Sequence, residues 1–155
     1  MIKKTHFMKF FFLSITFFSS CEKNDTILST SSYPFALPKA GVYSYSGYDS
    51  LGTHIVQGKI RFYYSDSIRI RGSWSLTAVG NPSAIGPQIG NDTLLGSYTK
   101  SRFGIDLNPQ VRDNNVSISI DNQMNLQTFT GKWVWSTLRG ITNYGNAQFI
   151  VDSIY

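Results

Sequence analysis

The chain is poor in the residues that carry chemistry. Its 155 residues include one cysteine, two histidines (His6 and His54) and one glutamate, Glu22. A single thiol excludes a disulfide within the chain, so the fold must rest on its core. So few histidines and glutamates exclude a hydrolytic triad, a histidine metal site or a glutamate acid/base pair. Charge is sparse too, at 15% of residues. An apolar run of the ~20 residues that cross a bilayer as a helix is also lacking. No enzyme, metal site or cofactor is expected.

What the chain does have begins at its N-terminus. Lys3, Lys4 and Lys9 precede an apolar run from Phe10 to Phe18, broken only by Ser14 and Thr16, and Ser19 and Ser20 follow. A basic start, a short apolar core and small residues before a boundary make a secretory signal peptide. The lone cysteine comes next. Phe18-Ser19-Ser20-Cys21 resembles the lipobox of bacterial lipoproteins, with Phe18 where Leu, Val or Ile is commoner. The resemblance covers the first 21 residues. It implies that residues 1–20 are removed, that Cys21 carries the lipid (palmitate-type acyl chains), and that the protein is anchored in the cell envelope, at the outer membrane. An unpaired cysteine is otherwise a liability in an oxidising compartment.

Removing the leader takes away three lysines, leaving 14 − 3 = 11 basic residues against 9 acidic ones, a net charge of +2. So mild a charge does not point to nucleic acid as a partner. Residues 21–39 follow as the lipid-attachment cysteine and a flexible tether. Their Ser/Thr-rich sequence, with Pro34 and Pro38, spans roughly 20–25 Å as a coil. Residues 40–155 form one domain, large enough for a core of its own.

That domain alternates. Val56, Ile60, Phe62 and Tyr64 are separated by Gln57, Lys59 and Arg61; Ile68, Ile70, Trp74 and Leu76 by Arg69, Arg71, Ser73 and Ser75; Val116, Ile118 and Ile120 by serines. Period two marks half-buried antiparallel strands. Eight are expected, at about 41–49, 53–64, 67–79, 92–100, 102–108, 114–121, 125–137 and 143–153. Short joins such as "DSLG", "SDS" and "LRGITN" favour an all-β up-and-down meander closed into a small barrel. In Gly58-x-Ile60, Gly72-x-Trp74, Gly96-x-Tyr98 and Gly131-x-Trp133, glycines share the core face with large side chains. They read as kinks that let a sheet curl, with neighbouring aromatics filling the vacancy. Around "YYSDSI" a three-residue loop, Ser65-Asp66-Ser67, would set Gly58 opposite Trp74, Ile60 opposite Gly72 and Arg61 opposite Arg71.

In strand number and rhythm, residues 41–153 resemble a calycin-type barrel, the group of lipocalins, fatty-acid-binding proteins and avidins. The lipocalin Gly-x-Trp belongs to a first strand, whereas the first strand here reads "GVYSYSGY". No ligand residue is therefore carried over. The resemblance implies an interior that either holds one small ligand or is filled by side chains.

The candidate sites follow from this barrel. Its interior would be lined by Ile60, Phe62, Ile70, Trp74, Tyr98, Phe129, Trp133 and Trp135, for a small apolar or amphipathic ligand. The long join at residues 80–91, "GNPSAIGPQIGN", would close the mouth with Ile85 and Ile89. Lys59, Arg61, Arg69 and Arg71 face outward from one hairpin and would suit an anion. His54 reads as a strand-end residue, and while the aspartates mostly fall at turns, Asp106 lies on a strand near its end. Two functions fit: a lipid-anchored binding barrel, or a structural or protein-interaction lipoprotein with a solid core.

Overall fold

The computed structural model describes residues 38–65, 69–99, 102–120 and 127–155. The leader, Cys21 and the tether through residue 37 lie outside the described residues, as do residues 66–68. The chain divides into two units between Ser31 and Ser32, and all the described residues fall in the second.

Eight strands run in chain order: β1 (Gly41–Asp49), β2 (His54–Ser65), β3 (Arg69–Ala78), β4 (Gly90–Thr99), β5 (Arg102–Asp106), β6 (Asn114–Ile120), β7 (Thr128–Thr137) and β8 (Gly140–Ile154). Each pairs antiparallel with the next, and β1 also pairs with β8, so the sheet closes into a barrel. Closure pairs both sides of every strand and leaves no sheet edge exposed. The whole ladder lies within residues 41–154, so residues 38–155 contain the complete core and fold as a unit.

The alternation decides which side chains enter. Tyr43 and Tyr45 on β1, Ile60 and Phe62 on β2, and Ile70, Trp74 and Leu76 on β3 are all buried. So are Val116, Ile118 and Ile120 on β6 and Phe129 and Trp133 on β7. Each large side chain removed from water contributes about 1.5–3 kcal/mol. As the sequence led us to expect, an aromatic covers a core-face glycine: the Phe103 ring lies over Gly96 from the next strand.

Three details differ from expectation. The β2–β3 register is displaced by two residues: Gly58 lies opposite Leu76, Ile60 opposite Trp74 and Phe62 opposite Gly72. Arg61 therefore faces Ser73, not Arg71. Beside the turn Tyr64 pairs with Arg71 and Ser65 with Ile70; a bulge between Phe62 and Tyr64 then shifts the register by one, which restores the match of faces and leaves Tyr63 unpaired in the ladder, its hydroxyl 2.6 Å from Ser73 Oγ. Phe62 and Trp74 still share the buried face. Second, β8 starts at Gly140, because Leu138 and Arg139 alone make the turn and Thr137 pairs with Gly140. Third, β5 stops at Asp106, two residues early. Leu107 still donates its N–H to Val116 O, but Asn108 turns toward the β3–β4 loop.

Candidate functional site

An up-and-down barrel sends alternate connections to opposite ends. Residues 50–53, 79–89, 107–113 and 138–139 join strands at one end; the chain enters at the other, where Tyr155 N–H bonds Ala40 O. The β3–β4 connection is the long one. In a ring of eight strands its seam lies diametrically opposite the β7–β8 seam. Yet it touches both strands of that far seam. Asn143, on β8, donates Nδ2 to Ala84 O at 2.5 Å. The indole of Trp135, on β7, lies against Gly86 so closely that a Cβ there would sit 2.6 Å from Cγ. The loop therefore crosses the barrel mouth. At φ +63° and under an indole, position 86 admits only glycine.

Two further side chains fix this crossing. Asn108, just after β5, donates Nδ2 to Pro87 O at 2.8 Å. Gln88 is fully buried. Its Nε2 donates to Ile85 O at 2.7 Å, and its Oε1 accepts from the lumen-facing Tyr45 hydroxyl at 3.2 Å. Among the described residues no buried side-chain nitrogen or oxygen lacks a partner. A cleft of about 460 Å³ lies beside the loop, with Asp49, Thr53, His54, Ile55, Ile85 and Asn143 among its walls.

The expected lining residues are brought into one core cluster, where several pack against other aromatic side chains. Ile60, Phe62, Ile70, Trp74, Phe129 and Trp133 are buried, and Tyr98 nearly so. Tyr43 packs on Phe62 and Phe129 at centroid distances of 5.0 and 5.5 Å, Phe129 stacks on Phe149 at 4.4 Å, and Tyr98 stacks on Phe103 at 4.7 Å. These rings lie in the half of the lumen away from the long loop. All three indole N–H groups bond within the protein: Trp74 to Leu107 O, Trp133 to Tyr48 O and Trp135 to Asn114 Oδ1. Trp135 is only half-buried and lies under the loop.

The two loop isoleucines part company. Ile85 packs against the core. Ile89 does not close the mouth: it is 43% exposed, because Gln88 takes the inward position and its neighbour must point out. On the outer wall, Lys59 is no free cation. Its Nζ lies 2.7 Å from Asp152 Oδ2 and donates to Ser44 Oγ at 2.9 Å, and Ser44 Oγ in turn donates to Asp152 Oδ1. The Lys59 ammonium, with help from Ser44, holds the Asp152 carboxyl below the usual range. Arg61, Arg69 and Arg71 are exposed on the same wall. The groove of about 710 Å³ beside Lys59 and Arg61 also holds Asp92 and Asp152, so it is not uniformly basic. His54 Nε2 bonds Val56 O at 3.0 Å, and Asp106 accepts from Asn115 Nδ2. Among the described residues no group of three His, Cys, Asp or Glu side chains could hold a metal ion.

Tyr45, Gln88, Asn108 and Asn143 were not expected at the site. The period-two pattern places Tyr45 inward, but nothing local marks the three amides. The buried Tyr45 environment disfavours phenolate and pushes its pKa above the ordinary tyrosine range; burial also raises that of Tyr43, against a bond to Lys39 O that lowers it. A raised folded-state pKa adds stability that is complete below the unfolded value, about 10, and is lost as pH climbs past it. Thermal melts across pH 8 to about 12 should therefore fall less steeply for Tyr45→Phe than for the wild type. Parallel curves would show that the Tyr45 hydroxyl does not couple to folding.

No family model matches the chain, and no curated protein matches its sequence. Among solved structures the chain is similar to EF1p2_mFAP2b bound to DFHBI, with a TM-score of 0.51 and 12% identity over 79% of this chain and 100% of that one. At that identity the likeness is one of fold. Fold and site together define a closed eight-stranded antiparallel barrel whose mouth is crossed by one of its own loops.

Proposed function

We propose that this protein is an exported, lipid-anchored lipoprotein of the bacterial cell envelope, whose barrel binds a small apolar or amphipathic molecule at the mouth crossed by residues 79–89. The observation that carries the reading is how that loop is held. Side-chain bonds from Tyr45, Asn108 and Asn143 fix it, and such bonds exchange singly, unlike the backbone ladder of the wall. The similar structure EF1p2_mFAP2b is one bound to a small molecule, DFHBI, which supports a barrel of this size as a binder. The scarcity of histidine and glutamate supports binding without catalysis. In residues 38–155, Trp135 under the loop is the natural reporter. Its emission should shift saturably, at one site, with members of a panel of amphipathic small molecules. A flat response across the panel would overturn the binding reading.

A structural or protein-interaction role is the second reading, and the ring packing in the far half of the lumen favours it. Leu51, Val111, Leu138 and Ile141 also stand exposed around the loop-bearing end. A flat small-molecule response would leave that reading as the better one.

A further inference from the structure

Resting on the binding reading, the geometry points to the segment Ala84–Gln88 as a built-in occupant of the ligand site, and to an uncharged amphipathic molecule bearing acceptor oxygens as the ligand that replaces it. Three wall side chains converge on the segment from different strands: Tyr45 from β1, Asn108 from beyond β5 and Asn143 from β8. Each donates a hydrogen bond, and each receives a neutral oxygen: Gln88 Oε1, Pro87 O and Ala84 O respectively. At these three contacts the wall presents donors, arranged for carbonyl-type oxygens, beside the apolar Trp135 indole and the core-packed Ile85.

Charge narrows the class. Those three donors are uncharged, and the cleft beside the loop carries the Asp49 carboxylate. A carboxylate or phosphate ligand would lose hydration there beside that carboxylate, and among the described residues no Lys or Arg lines the cleft. An ester, amide or ketone on an apolar body would not. The segment can also leave. It is flanked by Gly80 at φ +70° and Gly90 at φ +117°, and open space surrounds the Cβ position of both. Glycines in such conformations can change dihedral angle without steric cost. Each bond to the segment is worth roughly two- to tenfold net, and a ligand oxygen on the same donor returns a similar factor. Segment and ligand therefore compete for the same three donors.

The test is a titration of residues 38–155 with 6-propionyl-2-(dimethylamino)naphthalene, an uncharged amphipathic ketone with environment-sensitive emission. Gln88→Ala weakens the segment while leaving every wall donor in place, and should tighten binding roughly fivefold, as for one hydrogen bond. Asn108→Leu and Asn143→Leu also loosen the segment; at the one whose donor the ketone uses, the two losses cancel and the ketone should keep its wild-type affinity within about twofold. Position 143 is half-buried, so Asn143→Leu keeps the test open if Asn108→Leu does not fold. N-phenyl-1-naphthylamine, which has no carbonyl and needs no donor, should tighten roughly fivefold on every one of these variants. Tightening of both probes by Gln88→Ala, with an asparagine variant that tightens the naphthylamine and not the ketone, supports the inference. Any other pattern with saturable binding would overturn it while sparing the binding reading. Absence of saturable binding in every variant would overturn both.

Discussion

Trp133→Ala is expected to cost about 3–5 kcal/mol, a large part of the 5–15 kcal/mol that holds a domain of this size together. Trp133 is fully buried at the seam where the barrel closes. It sits on β7 directly opposite Gly145 of β8, and its Nε1 donates to Tyr48 O of β1 at 2.8 Å. One side chain thus ties three strands. Truncation would leave a void in place of the indole and deprive the Tyr48 carbonyl of its side-chain donor. Gly145→Ala attacks the same seam from the other side. Its Cβ would overlap Tyr48 O and come within 2.7 Å of Nε1, an overpacking that typically costs about 1–3 kcal/mol. Trp133→Phe, which keeps a ring but loses the N–H, should fall between the wild type and Trp133→Ala. Urea unfolding of residues 38–155 should show lower midpoints with an unchanged denaturant slope. A loss below about 1 kcal/mol for Trp133→Ala would mean that the seam does not depend on this indole.

The barrel was legible because its signal is local. Alternation in β2, β3 and β6 fixes which side chains face inward, and short joins between successive strands leave few topologies. The β2–β3 register was less so. Face parity is restored by the bulge at Tyr63, which shifts the pairing by one residue, but the register ends two residues from the expected one, and a bulge is a choice of local twist that apolar spacing does not encode. The mouth was least legible. Its loop was marked by length and by Gly and Pro, and its isoleucines by their apolar character. Gln88 was not, because a buried amide is favourable only when its partners are in place. One of them, Tyr45, lies 43 residues away. The Lys59–Asp152 pair, 93 residues apart, likewise exists only because β8 returns to β1. That closure turns one member of an expected basic patch into half of an ion pair. On an exposed wall such a pair contributes little, at most about 1 kcal/mol.

Replacing Cys21 with serine is expected to abolish attachment without touching the barrel. The expectation rests on the resemblance of Phe18-Ser19-Ser20-Cys21 to a lipobox and on the lone thiol standing directly after it. The attachment that the resemblance implies uses the thiol as nucleophile, and a serine hydroxyl, un-ionised at neutral pH, is a far weaker one. Each buried methylene contributes about 0.8 kcal/mol, and one chain alone holds a protein only marginally while two give stable anchoring. Loss of the lipid therefore changes partition by orders of magnitude, not by a fraction. Expressed in a bacterium with its leader, the wild-type chain should enter the detergent phase and yield a mature N-terminus at Cys21 that carries acyl mass. The Cys21→Ser chain should show neither that N-terminus nor that mass. Residues 38–155 contain the complete ladder, so the thermal unfolding of the isolated barrel should match that of the anchored protein in detergent. A wild-type mature chain that begins elsewhere and carries no lipid would overturn the anchor, and with it the placement in the envelope membrane. The mouth and its loop would be unaffected by that result, since every residue that holds the loop lies between Tyr45 and Asn143.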